Sequence, residues 1–285
     1  MKLCRYNDQK LGLVVGEQLI DVTEAIAAAG EWRWPLPPGD RLIAALDAVR
    51  AEVETRRKWG FVQLHRSVSL LSPVANPTKV IGAPANYRAH IDEANADPGI
   101  TFGAATSAID EYGLFLKNPV PVGPSEGVAL LYTDRRNDHE IELAMIIGRE
   151  VRDAAEADAL DCVAGYAIGL DMTVRGREER SLRKAIDTYS VLGPWLVTAD
   201  EIADPDALPL RLWVNGELRQ DSTTANQIFD CRRLIAYASR HYTLYPGDVI
   251  MTGTPEGVGP VEPGDAMRCE IEGIGAMEVA VRAAG

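Results

Sequence analysis

The 285-residue sequence predicts an α+β, strand-rich fold with a small N-terminal α/β domain, residues 1–72, and a larger β-rich domain, residues 73–285. Beyond residue 72, short apolar or alternating runs bounded by Gly, Pro and Asp recur, whereas helical patterns are few. Pro73 and Pro77 interrupt regular structure where the two parts meet. Many short strands separated by turn signals favour a mixed β fold over alternating βαβ units.

The N-terminal domain is predicted to begin with two short strands, in MKLCRY and KLGLVVG, joined by a turn that contains Asn7 and Asp8. The next segment, QLIDVTEAI, begins with strand character and then turns helical. After a Pro-rich linker, residues 34–38, apolar residues at helical spacing predict a helix that opens at Asp40. Asp40 suits this position because its carboxylate can accept hydrogen bonds from the first free N–H groups of the helix.

The C-terminal domain shows the strand pattern most clearly. Asn215 and Gly216 lie between the strand-like runs LRLWV and ELRQ, which is a strong signal for a two-residue hairpin turn. Two Pro-Gly-Asp turns, at 246–248 and 263–265, bracket the region that carries TGTPEGVG. Short helices are predicted over residues 154–160, 181–185 and 230–241.

Composition restricts the class of partner and the compartment. The formal net charge is −13, from 42 acidic and 29 basic residues, and disfavours a nucleic-acid partner because phosphate binding needs clustered Lys and Arg. The four cysteines are scattered, which favours reduced, buried thiols over disulfides or a zinc site. The N-terminus lacks the apolar core of a signal peptide, and no apolar run is long enough to span a bilayer. A cytoplasmic enzyme without membrane contact is therefore expected.

The clearest chemical signal is a pair of glutamates at the start of an apolar strand, in DHEIELAMII. Side chains alternate along a strand, so Glu140 and Glu142 point to one face while His139 and Ile141 point to the other. Two neighbouring carboxylates at the edge of a core repel each other and lose hydration unless a cation accompanies them. Hard oxygen ligands of this kind suit Mg²⁺, Mn²⁺ or Ca²⁺.

Asp171 is the candidate third ligand, because it ends the apolar run GYAIGLD, where a strand is expected to meet a pocket. A structural alternative stays open at this point. Glu140 and Glu142 could lie on the solvated face of an edge strand, with Asp171 as a simple cap. The pattern alone does not decide between this alternative and a metal site.

Further motifs occur in a fixed order over residues 79–280. The E-x-E strand is followed by an Asp, and then by D-T-x-x-x-L-G-P-W and T-G-T-P-x-G-V-G. The full set is NYRAHIDE (86–93), LFLKNP (114–119), DHEIELAMIIGREV (138–151), GYAIGLDMTVR (166–175), KAIDTYSVLGPWLVT (184–198), VNGELRQDS (214–222) and TGTPEGVG (252–259). With these motifs the sequence resembles the fumarylacetoacetate hydrolase family, in its branch of acylpyruvases and carboxymethyl-hydroxymuconate isomerases.

The resemblance implies a distorted mixed β-roll as the catalytic domain and a homodimer. It also implies a divalent cation, Mg²⁺ in the first place, with Mn²⁺ or Ca²⁺ as alternatives. Glu140, Glu142 and Asp171 match the family's metal ligands by position. The implied substrates are small dicarbonyl or 2-oxo acids: acylpyruvates, fumarylacetoacetate, oxaloacetate and ring-cleavage products.

Other positions match catalytic and substrate-binding residues of the family. His90 and Glu93 match the H-x-x-E dyad of its lid helix, and Lys184 matches the lysine near its metal. A spacing of three residues places His90 and Glu93 on one face of a helix. Lys117 and Arg175 match basic residues that hold the substrate carboxylate.

Weaker candidates come from the residues themselves. Thr254 lies with Thr252 in a Gly-rich turn whose N–H and hydroxyl groups could bind a substrate carboxylate. Tyr189 and Gln220 are candidates for lining the pocket. Asn86 is expected to cap the lid helix.

The reaction that the resemblance implies first is metal-dependent hydrolysis of a C–C bond in a small 1,3-dicarbonyl acid, in the catabolism of aromatic or sugar-derived compounds. Chelation of two substrate oxygens polarises the carbonyl and stabilises the released enolate, and a His paired with a Glu can take a proton from water. Decarboxylation or isomerisation of a 2-oxo acid is the alternative within the family, followed by hydratase or lyase chemistry. A metal-stabilised binding protein without turnover is the non-enzyme alternative.

Overall fold

The computed structural model describes residues 1–31 and 33–285 and confirms a strand-rich α+β fold. The α-helices are α1 (Arg41–Ala44), α2 (Leu46–Arg56), α3 (Arg88–Ala96), α4 (Pro98–Thr101), α5 (Ile109–Tyr112), α6 (Arg180–Lys184) and α7 (Cys231–His241). Short 3-10 helices span Thr23–Ala29, His65–Ser67, Glu156–Cys162, Ala199–Glu201, Pro205–Ala207 and Thr224–Asn226.

The strands are short and are distributed over the whole chain. They are β1 (Lys2–Tyr6), β2 (Lys10–Val15), β3 (Gln18–Asp21), β4 (Val62–Leu64), β5 (Leu70–Leu71), β6 (Val80–Gly82), β7 (Phe115–Lys117), β8 (Val128–Leu130), β9 (Asn137–His139) and β10 (Ile141–Ile147). The later strands are β11 (Val163–Asp171), β12 (Thr173–Val174), β13 (Ser190–Thr198), β14 (Pro209–Val214), β15 (Glu217–Thr223), β16 (Val249–Met251), β17 (Gly259–Pro260), β18 (Ala266–Ile271) and β19 (Gly275–Ala283).

The largest sheet runs through both predicted domains. Its strand order is β4-β3-β2-β1-β13-β11-β10-β16-β6-β7, with β5 paired to β1. Strand β1 pairs antiparallel with β13, so that Lys2 lies opposite Val197 and Leu3 lies opposite Leu196. The N-terminal strands therefore extend the sheet that carries β10 and β11. The division at residue 72 stays a prediction, and the hydrogen bonding of this sheet continues across it.

Two smaller sheets complete the architecture, with strand orders β15-β14-β18-β19-β8 and β12-β9-β17. The predicted hairpin turn between β14 and β15 is confirmed. Asn215 and Gly216 both have positive φ, at 51° and 83°, as a two-residue hairpin loop requires.

The helix predictions are confirmed in part. Asp40 caps α1, since its Oδ1 accepts hydrogen bonds from Leu42 N at 2.9 Å and Ile43 N at 3.2 Å. The single helix predicted after Asp40 is wrong, because the backbone leaves helical geometry at Ala45 and separates α1 from α2. The segment predicted as a helix over 154–160 is a 3-10 helix, whereas α6 and α7 lie where helices were predicted. Among the described residues, no helix has both the length and the apolarity that crossing a membrane requires.

Strand β10 is buried on both faces, because an apolar cluster packs on each side of the large sheet. Leu143 and Met145 belong to the main core, whereas Ala144 and Ile146 belong to a second cluster shared with the N-terminal strands and α2. Alternation places Glu142 on the face of Ala144 and Ile146. The sequence therefore directs this carboxylate into the interior instead of into solvent.

Leu3→Ala tests whether the N-terminal strands fold with the rest of the chain. Leu3 is 3% exposed where β1 meets β13, so its truncation is expected to lower the free energy of unfolding by about 2–5 kcal/mol in one cooperative transition. Urea unfolding followed by circular dichroism and by tryptophan fluorescence measures this. Leu218→Ala is the control, because Leu218 is 47% exposed and its truncation is expected to cost about 0.5 kcal/mol or less. A separate early transition of the N-terminal region would contradict the account.

Candidate metal centre and active site

Strand pairing brings the three predicted metal ligands together. Glu142 is in β10, Glu140 directly precedes that strand, and Asp171 ends the neighbouring β11. In the β10–β11 register Ile141 lies opposite Leu170, and Asp171 N donates a hydrogen bond to Glu140 O at 2.9 Å. The three carboxylates therefore converge at one end of the strand pair.

The carboxylates form a compact, buried cluster. One oxygen from each of Glu140, Glu142 and Asp171 lies within 4.8 Å of the others, and all three residues are buried. The open alternative of a solvated strand face is therefore wrong for Glu140 and Glu142. His139 points away from the cluster, as alternation predicts, and its Nδ1 lies 3.1 Å from Gln220 Oε1.

Two lysines accompany the cluster. Lys184 Nζ donates hydrogen bonds to Glu140 Oε2 at 2.6 Å, Asp171 Oδ2 at 2.7 Å and Thr173 Oγ1 at 2.6 Å. Lys117 Nζ donates to Asp171 Oδ1 at 2.5 Å and to the carbonyl oxygen of Lys184. Both ammonium groups are buried, so their charges act on the carboxylates with little solvent screening.

Arg175 holds Glu140 from the other side. Its Nη2 donates to Glu140 Oε1 at 2.9 Å, and its Nε donates to Asp138 Oδ2 at 2.8 Å. Thr173 Oγ1 donates to the same Glu140 oxygen at 3.0 Å. Every carboxylate oxygen of Glu140 thus has a hydrogen-bond donor, which fixes its orientation.

The two glutamates have opposite pKa shifts. Burial acts to raise the pKa of Glu140, but the charges of Lys184 and Arg175 outweigh it and hold the pKa well below its usual range. Burial, followed by the negative charge of Asp171, raises the pKa of Glu142 well above its usual value. Glu142 is therefore the member of the cluster that most needs a further cation in order to ionise.

The donor set fits a hard divalent cation. Three convergent carboxylates are typical oxygen ligands for Mg²⁺ or Mn²⁺. The raised pKa of Glu142 indicates that the positive charges of Lys117, Lys184 and Arg175 do not fully balance the buried negative charge.

The Gly-rich turn after β16 supports Glu142. Gly253 N donates to Glu142 Oε2 at 2.6 Å, and Thr254 Oγ1 donates to Ile141 O at 2.9 Å. Gly253 has φ of +95°, and a Cβ at this position would meet Asn86 at 2.7 Å, so glycine is required. The N–H group that was predicted to bind a substrate carboxylate holds a metal-ligand candidate instead.

Three predicted substrate-binding residues do not line the cavity. Tyr189 donates its hydroxyl to Asn137 Oδ1 at 2.5 Å. Gln220 Nε2 donates to Thr254 Oγ1 at 2.9 Å, while its Oε1 accepts from Ile141 N at 3.1 Å. Lys117 is enclosed behind Asp171. These predictions need correction, because each polar group is already used inside the protein.

The predicted His–Glu contact is present on α3. His90 Nδ1 lies 3.1 Å from Glu93 Oε2, and Glu93 Oε1 accepts a hydrogen bond from Gly257 N at 2.9 Å. The pair is thereby fixed to the loop that follows the Gly-rich turn. His90 is buried and lines the same cavity as the carboxylate cluster.

The predicted cap of this helix is wrong. Tyr87 occupies the N-cap position, and no side chain caps the helix there. Asn86 instead donates its side-chain amide to Thr252 O at 2.8 Å and to Phe229 O at 2.9 Å, and accepts from Phe229 N at 2.8 Å. Asn86 thus joins the base of α3 to the Gly-rich turn.

A cavity of about 180 Å³ lies between the carboxylate cluster and the α3–α5 segment. Its lining includes five predicted site residues in addition to Glu140 and Glu142: His90, Asp171, Arg175, Lys184 and Thr254. Sequence reasoning missed Arg180, Arg183, Tyr112 and Phe115 as lining residues. The signal available for the two arginines was their helical spacing within α6.

The family model for the C-terminal region of fumarylacetoacetate (FAA) hydrolase matches residues 79–282. The chain belongs to the fumarylacetoacetate hydrolase family. This confirms the resemblance that the sequence motifs indicated.

Individual relatives are similar in sequence to this chain over most or all of its length. A maleylpyruvate hydrolase from Aquipseudomonas alcaligenes is 53% identical over 285 residues, with 99% of each chain covered. The crystal structure of maleylpyruvate hydrolase from Sphingobium sp. SYK-6 with manganese(II) and pyruvate has a TM-score of 0.84 and 39% identity, with 100% of both chains covered. An oxaloacetate tautomerase from Xenopus laevis is 40% identical over 228 residues, 74% of this chain and 67% of that protein.

The shifted pKa of Glu142 predicts that metal binding depends on pH. In the metal-free protein the raised pKa favours the protonated acid, so a cation must displace this proton, and affinity for Mn²⁺ is expected to rise as pH rises. Titration calorimetry in two buffers of different ionisation enthalpy is expected to show that protons are released when Mn²⁺ binds. Glu142→Gln is expected to bind more weakly without this release. Binding of Mn²⁺ that is independent of buffer would contradict the assignment.

Proposed function

We propose that this chain hydrolyses the C–C bond between the acyl and methylene carbons of an acylpyruvate, giving pyruvate and a carboxylic acid. The observation that carries the proposal is that His90, paired with Glu93, lines the same cavity as Glu140, Glu142 and Asp171. Such a site supplies carbonyl polarisation and activation of water, the two functions that this hydrolysis needs. The similarity to two maleylpyruvate hydrolases supports the same reaction class.

In this proposal Glu140, Glu142 and Asp171 hold the divalent cation, Mg²⁺ or Mn²⁺. When bound there, such a cation would supply Lewis-acid polarisation of substrate carbonyl oxygens and positive charge to stabilise the departing enolate. Lys184 keeps two of these carboxylates oriented and adds positive charge on the cavity wall where enolate charge develops. Lys117 acts on the metal-ligand carboxylate of Asp171 and not on the substrate, whereas Arg175 orients Glu140 and also lines the cavity, where it can contact the substrate carboxylate as the resemblance implied.

His90 is the proposed general base. Its Nδ1 is engaged by Glu93, which leaves Nε2 to take a proton from water while the water oxygen attacks the acyl carbonyl carbon. The acyl–methylene bond then breaks, and its electron pair goes to the methylene carbon. The proton held by His90 is returned to that carbon, which becomes the methyl group of pyruvate. The elements of water are thus divided between the carboxylic acid and pyruvate.

Tautomerisation of a 2-oxo acid is the second candidate, because the oxaloacetate tautomerase of Xenopus laevis is 40% identical to this chain. The same cavity would stabilise an enolate in that reaction, and His90 would move the proton between carbon and oxygen. The two candidates differ in their products. Pyruvate release from an acylpyruvate, followed with lactate dehydrogenase, identifies hydrolysis, whereas loss of the enol absorbance of oxaloacetate without pyruvate release identifies tautomerisation.

Compartment and assembly are further parts of the proposal. The four cysteines are free and buried, which is in keeping with a reducing cytoplasm. Val120 and Leu131 are large apolar side chains that are 68% and 53% exposed, and contact with a second copy would cover such surface in a homodimer. Light scattering of the purified chain determines the oligomeric state.

His90→Ala tests the proposed base. The substitution is expected to lower kcat for acylpyruvate hydrolysis by about 10²–10⁴-fold, because it removes the imidazole that takes the proton from water in this proposal. Affinity for Mn²⁺ is expected to stay within about twofold, because His90 is not among the clustered carboxylates. Asp92→Asn is the control, since Asp92 is exposed on the same helix. An unchanged kcat in His90→Ala would remove the dyad from the mechanism.

A further inference from the structure

Two arginines of α6 line the cavity and take no part in holding the carboxylate cluster. Arg180 and Arg183 are one helical turn apart, and both border the space that also contains Glu140, Asp171 and Lys184. Lys184, the last residue of α6, donates a hydrogen bond to Glu140 in the cluster, and this contact fixes where the helix lies. The same helix therefore delivers two guanidinium groups to the cavity wall.

Arg180 lies against aromatic rings. Its guanidinium carbon is 4.6 Å from the centre of the Tyr112 ring and 5.6 Å from that of Phe115. Within residues 1–31 and 33–285, it forms no ion pair with a carboxylate. Burial lowers the pKa of Arg180, which shows that its positive charge is partly desolvated without full compensation.

Arg183 strengthens this local positive charge. Its Nε donates to the backbone oxygen of Glu178 at 2.8 Å, and no ion pair with a carboxylate is formed in the described part of the chain. Burial, and then repulsion from Arg175 and Arg180, lowers the pKa of Arg183.

Lys184 and Arg175, which also line the cavity, form ion pairs with carboxylates. Lys184 contacts Glu140 and Asp171, and Arg175 contacts Asp138 and Glu140. Arg180 and Arg183 are therefore the cavity-lining cations that have no ion pair with a carboxylate among the residues that the structure describes. An anion that enters the cavity is the natural partner for these two groups.

Phe115 lines the cavity next to both Arg180 and Lys184. Lys184 Nζ is 5.5 Å from the centre of the Phe115 ring, and the Arg180 guanidinium is 5.6 Å from the same ring. Phe115 thus lies near both Arg180 and Lys184, the lysine that contacts two of the metal-ligand candidates. Small residues of the α3–α5 segment, Ala94, Ala104 and Ala105, line the same cavity and offer an apolar surface for the carbon chain of a substrate.

We infer that Arg180, assisted by Arg183, binds a second carboxylate at the far end of the substrate and makes the site selective for dicarboxylic acylpyruvates. This inference rests on the proposed function, which places the 2-oxo acid end of the substrate at the carboxylate cluster. A planar guanidinium placed over the Tyr112 ring suits the role, because it offers paired N–H donors to one carboxylate. Arg180 is a substrate-binding residue in this inference, and it has no part in proton transfer.

Binding of two matched acids to the Mn²⁺-loaded protein tests the inference without turnover. 2-Oxoheptanedioate and 2-oxoheptanoate have the same chain length and differ only in the distal carboxylate. We expect the diacid to bind the parent protein about 10- to 100-fold more tightly in titration calorimetry, because a charge-assisted bidentate contact is added. Arg180→Gln is expected to remove this preference while it leaves the affinity for 2-oxoheptanoate unchanged.

Two further variants make the test specific. Arg177→Gln is the matched control, since Arg177 is exposed and lies outside the cavity lining, and it is expected to keep the preference. Arg180→Lys is expected to retain part of the preference, because the charge remains but the paired donors are lost. Retained binding of the monoacid shows in each case that the site is folded.

The outcomes separate this inference from the proposed function. Equal affinity of the parent protein for the two acids, or an unchanged preference in Arg180→Gln, would overturn the role of Arg180 even in an active hydrolase. Loss of the preference in Arg180→Gln supports that role. Absence of pyruvate release from both dicarboxylic and monocarboxylic acylpyruvates by the parent protein would instead overturn the proposed function.

Discussion

The burial of three carboxylates beside two lysines, which form hydrogen bonds with only two of them, is the constraint on which the rest of the site depends. Glu140, Glu142 and Asp171 repel one another, and taking them out of water costs free energy that only nearby positive charge can offset. Lys184 bridges Glu140 and Asp171, whereas Glu142 receives only a backbone N–H from the Gly-rich turn. This unequal compensation leaves one carboxylate dependent on a bound cation.

The same constraint divides the basic residues of the cavity into two groups. Lys117, Lys184 and Arg175 are held by the carboxylates of the metal centre and set their geometry. Arg180 and Arg183 have no such partner in the described chain, so they remain available to a ligand. A family site that polarises the 2-oxo end of its substrate can therefore acquire selectivity at the other end without disturbing the metal centre.

The sequence predicted those features that depend on local pattern. Period-two alternation identified Glu140 and Glu142, the end of an apolar run identified Asp171, and the Asn215–Gly216 dipeptide identified a hairpin. These signals are read from a few adjacent residues, so they do not require knowledge of distant contacts.

Features that depend on distant contacts could not be predicted in this way. Asn86 was expected to cap a helix, but its amide is used by Phe229 and Thr252, which are more than a hundred residues away. Tyr189 was expected in the pocket, but its hydroxyl donates a hydrogen bond to Asn137.

The most direct test of the metal centre is anomalous diffraction at the manganese edge from crystals grown with Mn²⁺. The account predicts one strong peak within coordination distance of Glu140, Glu142 and Asp171 together, and a cavity without such a peak, or a peak elsewhere, would contradict it.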